Sequence, residues 1–289
     1  HTGTLKVVID CGNGAMSEIA PFIFKKLGYD VYSLYCEYDG TFPNRSPNPA
    51  VYDNLKKLCT VVRSENANLG IAFDGDGDRV VFVDDSGRVV NSERSLVLFI
   101  YEYLKNDKGS VVYDIKSSSV VKNAIMEMGG IPLMERSGHA FIRRRFLENK
   151  SVLAGEISGH FFFRELGYDD GLYAALTMTE IIQKSGTKLS VLVNNIAAPL
   201  ITPDIRIPCS YAERDQWLDA IGRIGEEYQV SRLDGVRIEF PDGWLLARKS
   251  VTEEGITIRI EGMNQDVIKR IKDQLISVLP PLKPYLSDR

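Results

Sequence analysis

Ala72-Phe73-Asp74-Gly75-Asp76-Gly77-Asp78-Arg79 places an acid at every second position between two apolar runs, residues 69–73 before it and 80–83 after it. Short apolar runs bounded by glycine read as buried strands, so the loop is expected at a strand end. Gly75 and Gly77 allow the tight bend that brings three carboxylates together. Three like charges at close range repel strongly where the dielectric is low, so a cation is expected among them. An all-oxygen donor set with open positions suits Mg2+ or a similar hard ion, which makes Asp74, Asp76 and Asp78 candidate metal ligands.

Three rival readings of the loop are weaker. A calcium EF-hand also uses Asp at positions one, three and five, but it needs Gly at position six and flanking helices. Here position six is Arg79 and the flanks are strand-like. A haloacid-dehalogenase phosphatase carries its Asp-x-Asp-Gly loop after the first strand, and no such motif follows Val7-Val8-Ile9-Asp10. A plain acidic surface turn has no need of three alternating acids followed at once by a cation.

With Gly155-Glu156-Ile157-Ser158-Gly159-His160 and Arg248-Lys249-Ser250-Val251-Thr252-Glu253, in that order along the chain, the aspartate loop resembles the three signature loops of the α-D-phosphohexomutases, the phosphomannomutase and phosphoglucomutase family. The resemblance implies a metal loop at Asp74, Asp76 and Asp78, sugar recognition by Glu156 and Ser158, and phosphate binding by Arg248, Ser250 and Thr252. Two departures stand in the third loop. Val251 replaces the family's Gly or Asn, and Glu254 replaces its Pro and adds negative charge.

At 289 residues the chain is long for one domain and suits two or three. A net charge of −4 with no basic block argues against nucleic acid as a partner. No apolar run approaches the roughly 20 residues that span a bilayer, so no membrane partner and a cytoplasmic location are expected. Four cysteines, Cys11, Cys36, Cys59 and Cys209, lack CxxC and metal-ligand spacing and read as reduced structural thiols.

The chain opens with a β-turn-α unit: a strand at 5–10, the turn Cys11-Gly12-Asn13-Gly14-Ala15, and a helix over 17–27 ending at Gly28. Gly12 and Gly14 read as a tight turn rather than a phosphate cradle, because the rest of a dinucleotide fingerprint is missing. A strand over 29–36 precedes Phe42-Pro43-Asn44-Arg45-Ser46-Pro47-Asn48-Pro49, which is similar to a family segment, and a helix is expected over 51–66. Strands alternating with helices predict a parallel sheet with the aspartate loop at its carboxyl edge.

After residue 88 the rhythm restarts: helix 92–105, strand 110–115, helix 117–128, strand 131–134, and later helix 172–183. Lys116, at a strand-to-helix corner, matches the family's Asp-x-Lys-x-Ser segment. Arg136-Ser137-Gly138-His139-Ala140-Phe141-Ile142-Arg143 resembles its Thr-Gly-His-x-x-Ile-Lys stretch, with Arg143 where lysine is usual. Lys116, His139 and Arg143 are therefore implied around the sugar. Glu156 and Ser158, two apart on extended backbone, point the same way and suit two neighbouring hydroxyls.

The last segment changes pattern: strand 204–208, helix 213–228, strands at 236–240, 244–247 and 255–260, and helix 265–279, with Trp217 and Trp244 expected in its core. Short turns between strands predict an antiparallel sheet. The expected fold class is two similar mixed-sheet α/β domains, 1–88 and 89–198, followed by a smaller α+β domain, 199–289.

The family moves a phosphoryl group between C1 and C6 of a hexose through a bisphosphorylated sugar, using a phosphoserine. That implies Mg2+, a hexose bisphosphate activator such as glucose 1,6-bisphosphate, hexose phosphates as partners, and Arg79 and His160 as catalytic groups. The phosphoserine motif, Thr-Ala-Ser-His-Asn-Pro-like, does not occur in residues 1–289. The chain is accordingly expected to match the second to fourth domains of such an enzyme, to have the missing N-terminal domain as a partner, and to be inactive by itself. A non-catalytic phosphosugar-binding module and a phosphoglucosamine mutase are the alternatives.

Overall fold

The computed structural model describes residues 4–250 and 253–287. Two compact units are present, residues 1–134 with 138–197, and residues 135–137 with 198–289.

The first unit contains the same sheet twice. β1 (Lys6–Asp10), α1 (Ile19–Lys26), β2 (Asp30–Leu34), α2 (Lys56–Ser64), β3 (Leu69–Phe73), β4 (Val80–Asp84) and β5 (Val89–Val90) form a sheet of order β2-β1-β3-β4-β5. β1 runs parallel to β2 and β3, whereas β3-β4 and β4-β5 are antiparallel. There follow α3 (Ser92–Tyr103), β6 (Ser110–Asp114), α4 (Ser119–Glu127), β7 (Ile131–Glu135), α5 (His139–Glu148), β8 (Leu153–Gly155), β9 (Phe161–Phe163), β10 (Tyr168–Asp169), α6 (Gly171–Ser185) and α7 (Leu189–Asn194). Their strand order, β7-β6-β8-β9-β10, repeats the first with every strand in the corresponding place.

β3 and β4 are buried along their whole length, as continuous apolar runs in a covered sheet should be. α2 packs on one face of the first sheet, while α6 meets β3 and β4 from the other and α3 touches both β4 and β8. The two sheets thus share one core. Phe99 of α3 stands at its centre, edge-on to Phe82, Phe161 and Phe163 at 6.2, 5.0 and 5.7 Å between centroids.

The second unit consists of β11 (Leu200–Ile201), β12 (Ile205–Ile207), α8 (Tyr211–Arg223), β13 (Gln229–Ser231), β14 (Val236–Phe240), β15 (Gly243–Lys249), β16 (Ile256–Gly262), α9 (Gln265–Val278) and α10 (Lys283–Leu286). Its sheet, β11-β16-β15-β14-β13 with β12 also on β16, is antiparallel throughout. Val236, Ile238, Leu245, Ala247, Ile256, Ile258 and Ile260 alternate onto the core face with Ile268 and Ile271 of α9.

Several local expectations shift. The helix expected over 51–66 begins as a 3-10 turn, Tyr52–Leu55. The helix expected from 213 starts two residues earlier, because Ser210 and Glu213 close a capping box around its first turn. α5, β10 and β13 were not expected: α5 begins on a glycine without a side-chain cap, and the other two are two- and three-residue strands. The tryptophans divide. Trp217 is partly buried against the α9 side of the core, and Trp244 is fully buried on the opposite sheet face, where Arg237 stacks on its ring at 4.1 Å. Among the described residues no helix is long and apolar enough to cross a membrane.

Candidate active site

Each long strand of the first unit that points at the site ends in, or is followed by, an aspartate that folds the next turn. Asp10 Oδ1 accepts from Gly12 N at 2.9 Å, Asp114 Oδ1 from Lys116 N at 2.9 Å, and Asp74 Oδ1 from Gly77 N at 2.9 Å. The first two are Asx turns and the third reaches one residue further; in each a short carboxylate satisfies an amide the strand has left free. They set Lys116 at the strand-to-helix corner expected for it.

The aspartate loop is braced from three sides. Arg45, in the triple-proline segment, is buried; its Nε lies 3.0 Å from Asp10 and its Nη2 donates to Phe73 O at 2.7 Å, just before Asp74. Ala15 N donates to Gly75 O at 2.9 Å, and a Cβ on Gly14 would meet that same carbonyl at 2.6 Å. Gly14 therefore serves close approach to the aspartate loop. On the third side Val80 N donates to Gly159 O at 3.1 Å, and Arg79 pairs with His160 in an isolated antiparallel bridge. Gly159 needs its φ of +100°, and any side chain there would strike the Val80 carbonyl at 2.9 Å.

Oxygen atoms from Asp74, Asp76 and Asp78 lie within 4.8 Å of one another. Arg79 Nε sits 2.6 Å from Asp74 Oδ2 and 3.8 Å from Asp78 Oδ1. Asp78 Oδ1 is buried with no hydrogen bond among the described residues. A buried carboxylate oxygen without a hydrogen bond is costly, and a hard divalent cation satisfies it.

Beside this loop a second cluster forms. Asp169 lies between His139 and His160: Oδ1 is 3.0 Å from His139 Nε2 and Oδ2 is 2.6 Å from His160 Nδ1. His160 Nδ1 is also 3.7 Å from Asp78 Oδ1. Burial alone would lower the His160 pKa, but the hydrogen bond to Asp169 and the charges of Asp78, Asp169 and Glu156 outweigh it and hold the imidazole above its ordinary value. Asp169 mirrors this: burial pushes its carboxyl up, and the two histidines bring it below the usual range.

Glu156 Oε2 and Ser158 Oγ are buried atoms with no hydrogen bond among the described residues. Burial, then the charge of Asp114, pushes the Glu156 carboxyl up, against the opposing pull of His160, Ser158 and His139. Arg143 is exposed on α5, four residues after His139 and so on the same helix face.

In the second unit Arg248, next to last in β15, pairs with Asp234 at 2.9 Å. Ser250 N donates to Gly255 O at 3.0 Å, and Ser250 Oγ accepts from Glu253 N at 3.3 Å. Val251 and Thr252 lie outside the described residues. Glu254 Oε1 accepts from Tyr211 N at 3.0 Å, at the start of α8, where amides are unsatisfied and the helix dipole favours an anion. Glu253 pairs with Arg206 at 2.9 Å. Both acids of the loop are thus engaged by neighbouring donors.

Asp10, Arg45 and Asp169 were not singled out from the sequence as site residues. Asp169 ends the two-residue strand β10 just before the helix cap Asp170, after a turn over 164–167 that carries no strand signal.

Three models of one family match in succession: "Phosphoglucomutase/phosphomannomutase, alpha/beta/alpha domain II" over residues 1–87, its domain III over 91–200, and its C-terminal domain over 206–278. The chain belongs to the phosphoglucomutase/phosphomannomutase family. It is 38% identical over 273 residues to a phosphomannomutase/phosphoglucomutase of Pseudomonas aeruginosa, covering 93% of this chain and 59% of that protein. A phosphoglucomutase of Neisseria meningitidis is 37% identical over 282 residues, 95% of this chain and 61% of the relative. The crystal structure of a family protein from Burkholderia thailandensis superposes with a TM-score of 0.87 at 35% identity, over 98% of this chain and 62% of the other. The chain therefore spans about six-tenths of the length of the curated relatives it matches.

Proposed function

We propose that this chain supplies the metal, sugar and phosphate loops of a Mg2+-dependent phosphohexomutase that moves a phosphoryl group between C1 and C6 of a hexose phosphate, through a bisphosphorylated sugar. The observation that carries the reading is the junction of the aspartate loop with the His139–Asp169–His160 cluster through the Val80–Gly159 hydrogen bond. Residues 1–88, 89–198 and 199–289 are proposed as its domains.

Asp74, Asp76 and Asp78 are proposed to hold Mg2+, whose chemistry is to neutralise charge developing on the transferring phosphoryl oxygens. Arg79 is fixed through Nε by Asp74, so its terminal nitrogens are the ones to meet phosphate oxygens. With Nδ1–H given to Asp169, His160 keeps Nε2 for exchanging a proton with a sugar hydroxyl. The Glu156 and Ser158 oxygens without hydrogen bonds among the described residues suit two adjacent sugar hydroxyls, and Lys116, His139 and Arg143 are proposed as further donors to the sugar. Arg248, Ser250 and Thr252 are proposed for the phosphate that does not react. Because residues 1–289 contain no phosphoserine motif of the family, this chain by itself is proposed to bind hexose phosphates without turning them over. A hexose bisphosphate is the proposed activator of the whole protein.

Calorimetry on this chain tests the reading. Glucose 6-phosphate should bind, Glu156→Ala and Arg248→Ala should each weaken binding roughly tenfold or more, and Mg2+ should bind separately. Loss of neither affinity in the two variants would contradict the assigned loops.

A further inference from the structure

β1 and β2 are parallel neighbours, with Asp10 opposite Leu34. The chains stay together past the strands, where Cys11 N donates to Leu34 O at 3.2 Å and Asn13 N to Tyr35 O at 2.8 Å. Tyr35 then takes a left-handed φ of +53°, which turns the chain at the end of β2. Cys36 Sγ lies 3.2 Å from Cys11 Sγ, while its other close partners are the Leu34 and Ile9 carbonyls. A disulfide needs about 2.05 Å between sulfurs, so the pair is within roughly 1 Å of bonding.

Access is one-sided. Cys11 is fully buried, whereas Cys36 lines an open surface cavity of about 340 Å3 with Asn13, Ser33, Tyr35, Glu37 and Asn44. A small polar disulfide entering that cavity meets Cys36 and not Cys11. The acidities agree with this order: the contact with Cys11 holds the Cys36 thiol below its usual range, and the Cys11 thiol is raised chiefly by the same contact and by burial.

We propose that Cys11 and Cys36 are a modification site that closes to an intrachain disulfide by exchange with a low-molecular-weight disulfide such as oxidised glutathione. The Cys36 thiolate attacks one sulfur of the disulfide, forms a mixed disulfide and expels one thiolate. Cys11 then attacks the Cys36 sulfur, its proton passing to the second thiolate as that thiolate is expelled. The two protons lost by the cysteines go to the two leaving thiolates, so two thiols are oxidised and one disulfide is reduced. Closure removes the Cys11 S–H that donates to Met16 O at 3.2 Å, and the Met16 side chain packs against Gly77 in the aspartate loop. Disulfides of this kind in reducing compartments are transient and redox-sensing.

The test is peptide mapping after exposure of the protein to oxidised glutathione, with Cys59 and Cys209 as internal references. Two of the four thiols should be consumed, the peptides bearing Cys11 and Cys36 should be joined, and dithiothreitol should release them. In Cys11→Ser, Cys36 should instead stop as a stable glutathione adduct. The proposal is overturned if the wild-type protein keeps both thiols free, if it holds glutathione on Cys36 beside a free Cys11, or if Cys59 or Cys209 is consumed in their place. The readout is the bond itself, so it stands apart from any result with hexose phosphates.

Discussion

Asp169 binds His139 and His160 at once, one carboxylate oxygen to each ring at 3.0 and 2.6 Å. It thereby fixes the tautomer and orientation of His160 beside Asp78 of the aspartate loop, the ligand atoms of all four residues lying within 4.8 Å of one another. Asp169→Asn can still hydrogen-bond but no longer favours the protonated imidazole. In the full-length protein kcat for hexose phosphates should fall on the order of 10²-fold with KM nearly unchanged. An equal rise in KM with kcat intact would mark Asp169 as a substrate contact instead.

Arg45 is the brace of the aspartate loop. Arg45→Ala leaves Asp10 buried without its cation, and breaking a buried pair from one side typically costs about 3–5 kcal/mol. Urea denaturation of this chain should report that loss, and Asp10→Asn should lose stability by the same route. A stable Arg45→Ala protein would mean that water reaches Asp10 and that the turn needs no guanidinium.

Phe99 joins the two repeated sheets. Phe99→Ala removes three edge-on ring contacts from a fully buried position and should cost about 3–5 kcal/mol. If the sheets shared no core, separate unfolding transitions would persist in the wild type; a single transition that moves as one in the variant is expected.

Glu156 gives a pH dependence with a definite sign. Its folded pKa is raised, first by burial, so between the ordinary carboxylate value and the raised one the folded state holds more protons than the unfolded. Stability therefore falls as pH rises through that window, and the carboxylate's cost is absent below it. Glu156→Gln should be more stable than wild type at neutral pH, lose that advantage on acidification, and bind hexose phosphate more weakly. A stability difference that is flat with pH would show that Glu156 is well solvated.

The fold class and the family were legible because they rest on local signals: apolar runs of strand length, an alternating acidic loop between them, and the two later signature loops in order. Glu156 and Ser158 were expected to share a direction on extended backbone, whereas residues 156–159 form a turn closed by Gly159 N donating to Glu156 O at 3.1 Å. What escaped was non-local. Asp169 acts on His139 thirty residues away, and Arg45 on Asp10 thirty-five away, through contacts that only the folded sheets create. Cys11 and Cys36 looked unrelated in the chain because parallel strands bring distant residues level. Glu254 looked like a defect in a phosphate loop, and its carboxylate instead caps the first turn of α8.

The most direct measurement is glucose 1-phosphate turnover by the full-length protein, with Mg2+ and a trace of glucose 1,6-bisphosphate. The account predicts glucose 6-phosphate as product, loss of turnover on chelating the metal, and the same loss in Asp76→Asn. Absence of turnover with glucose 1-phosphate and with every other hexose phosphate tried would contradict the enzyme reading and leave a phosphosugar-binding module.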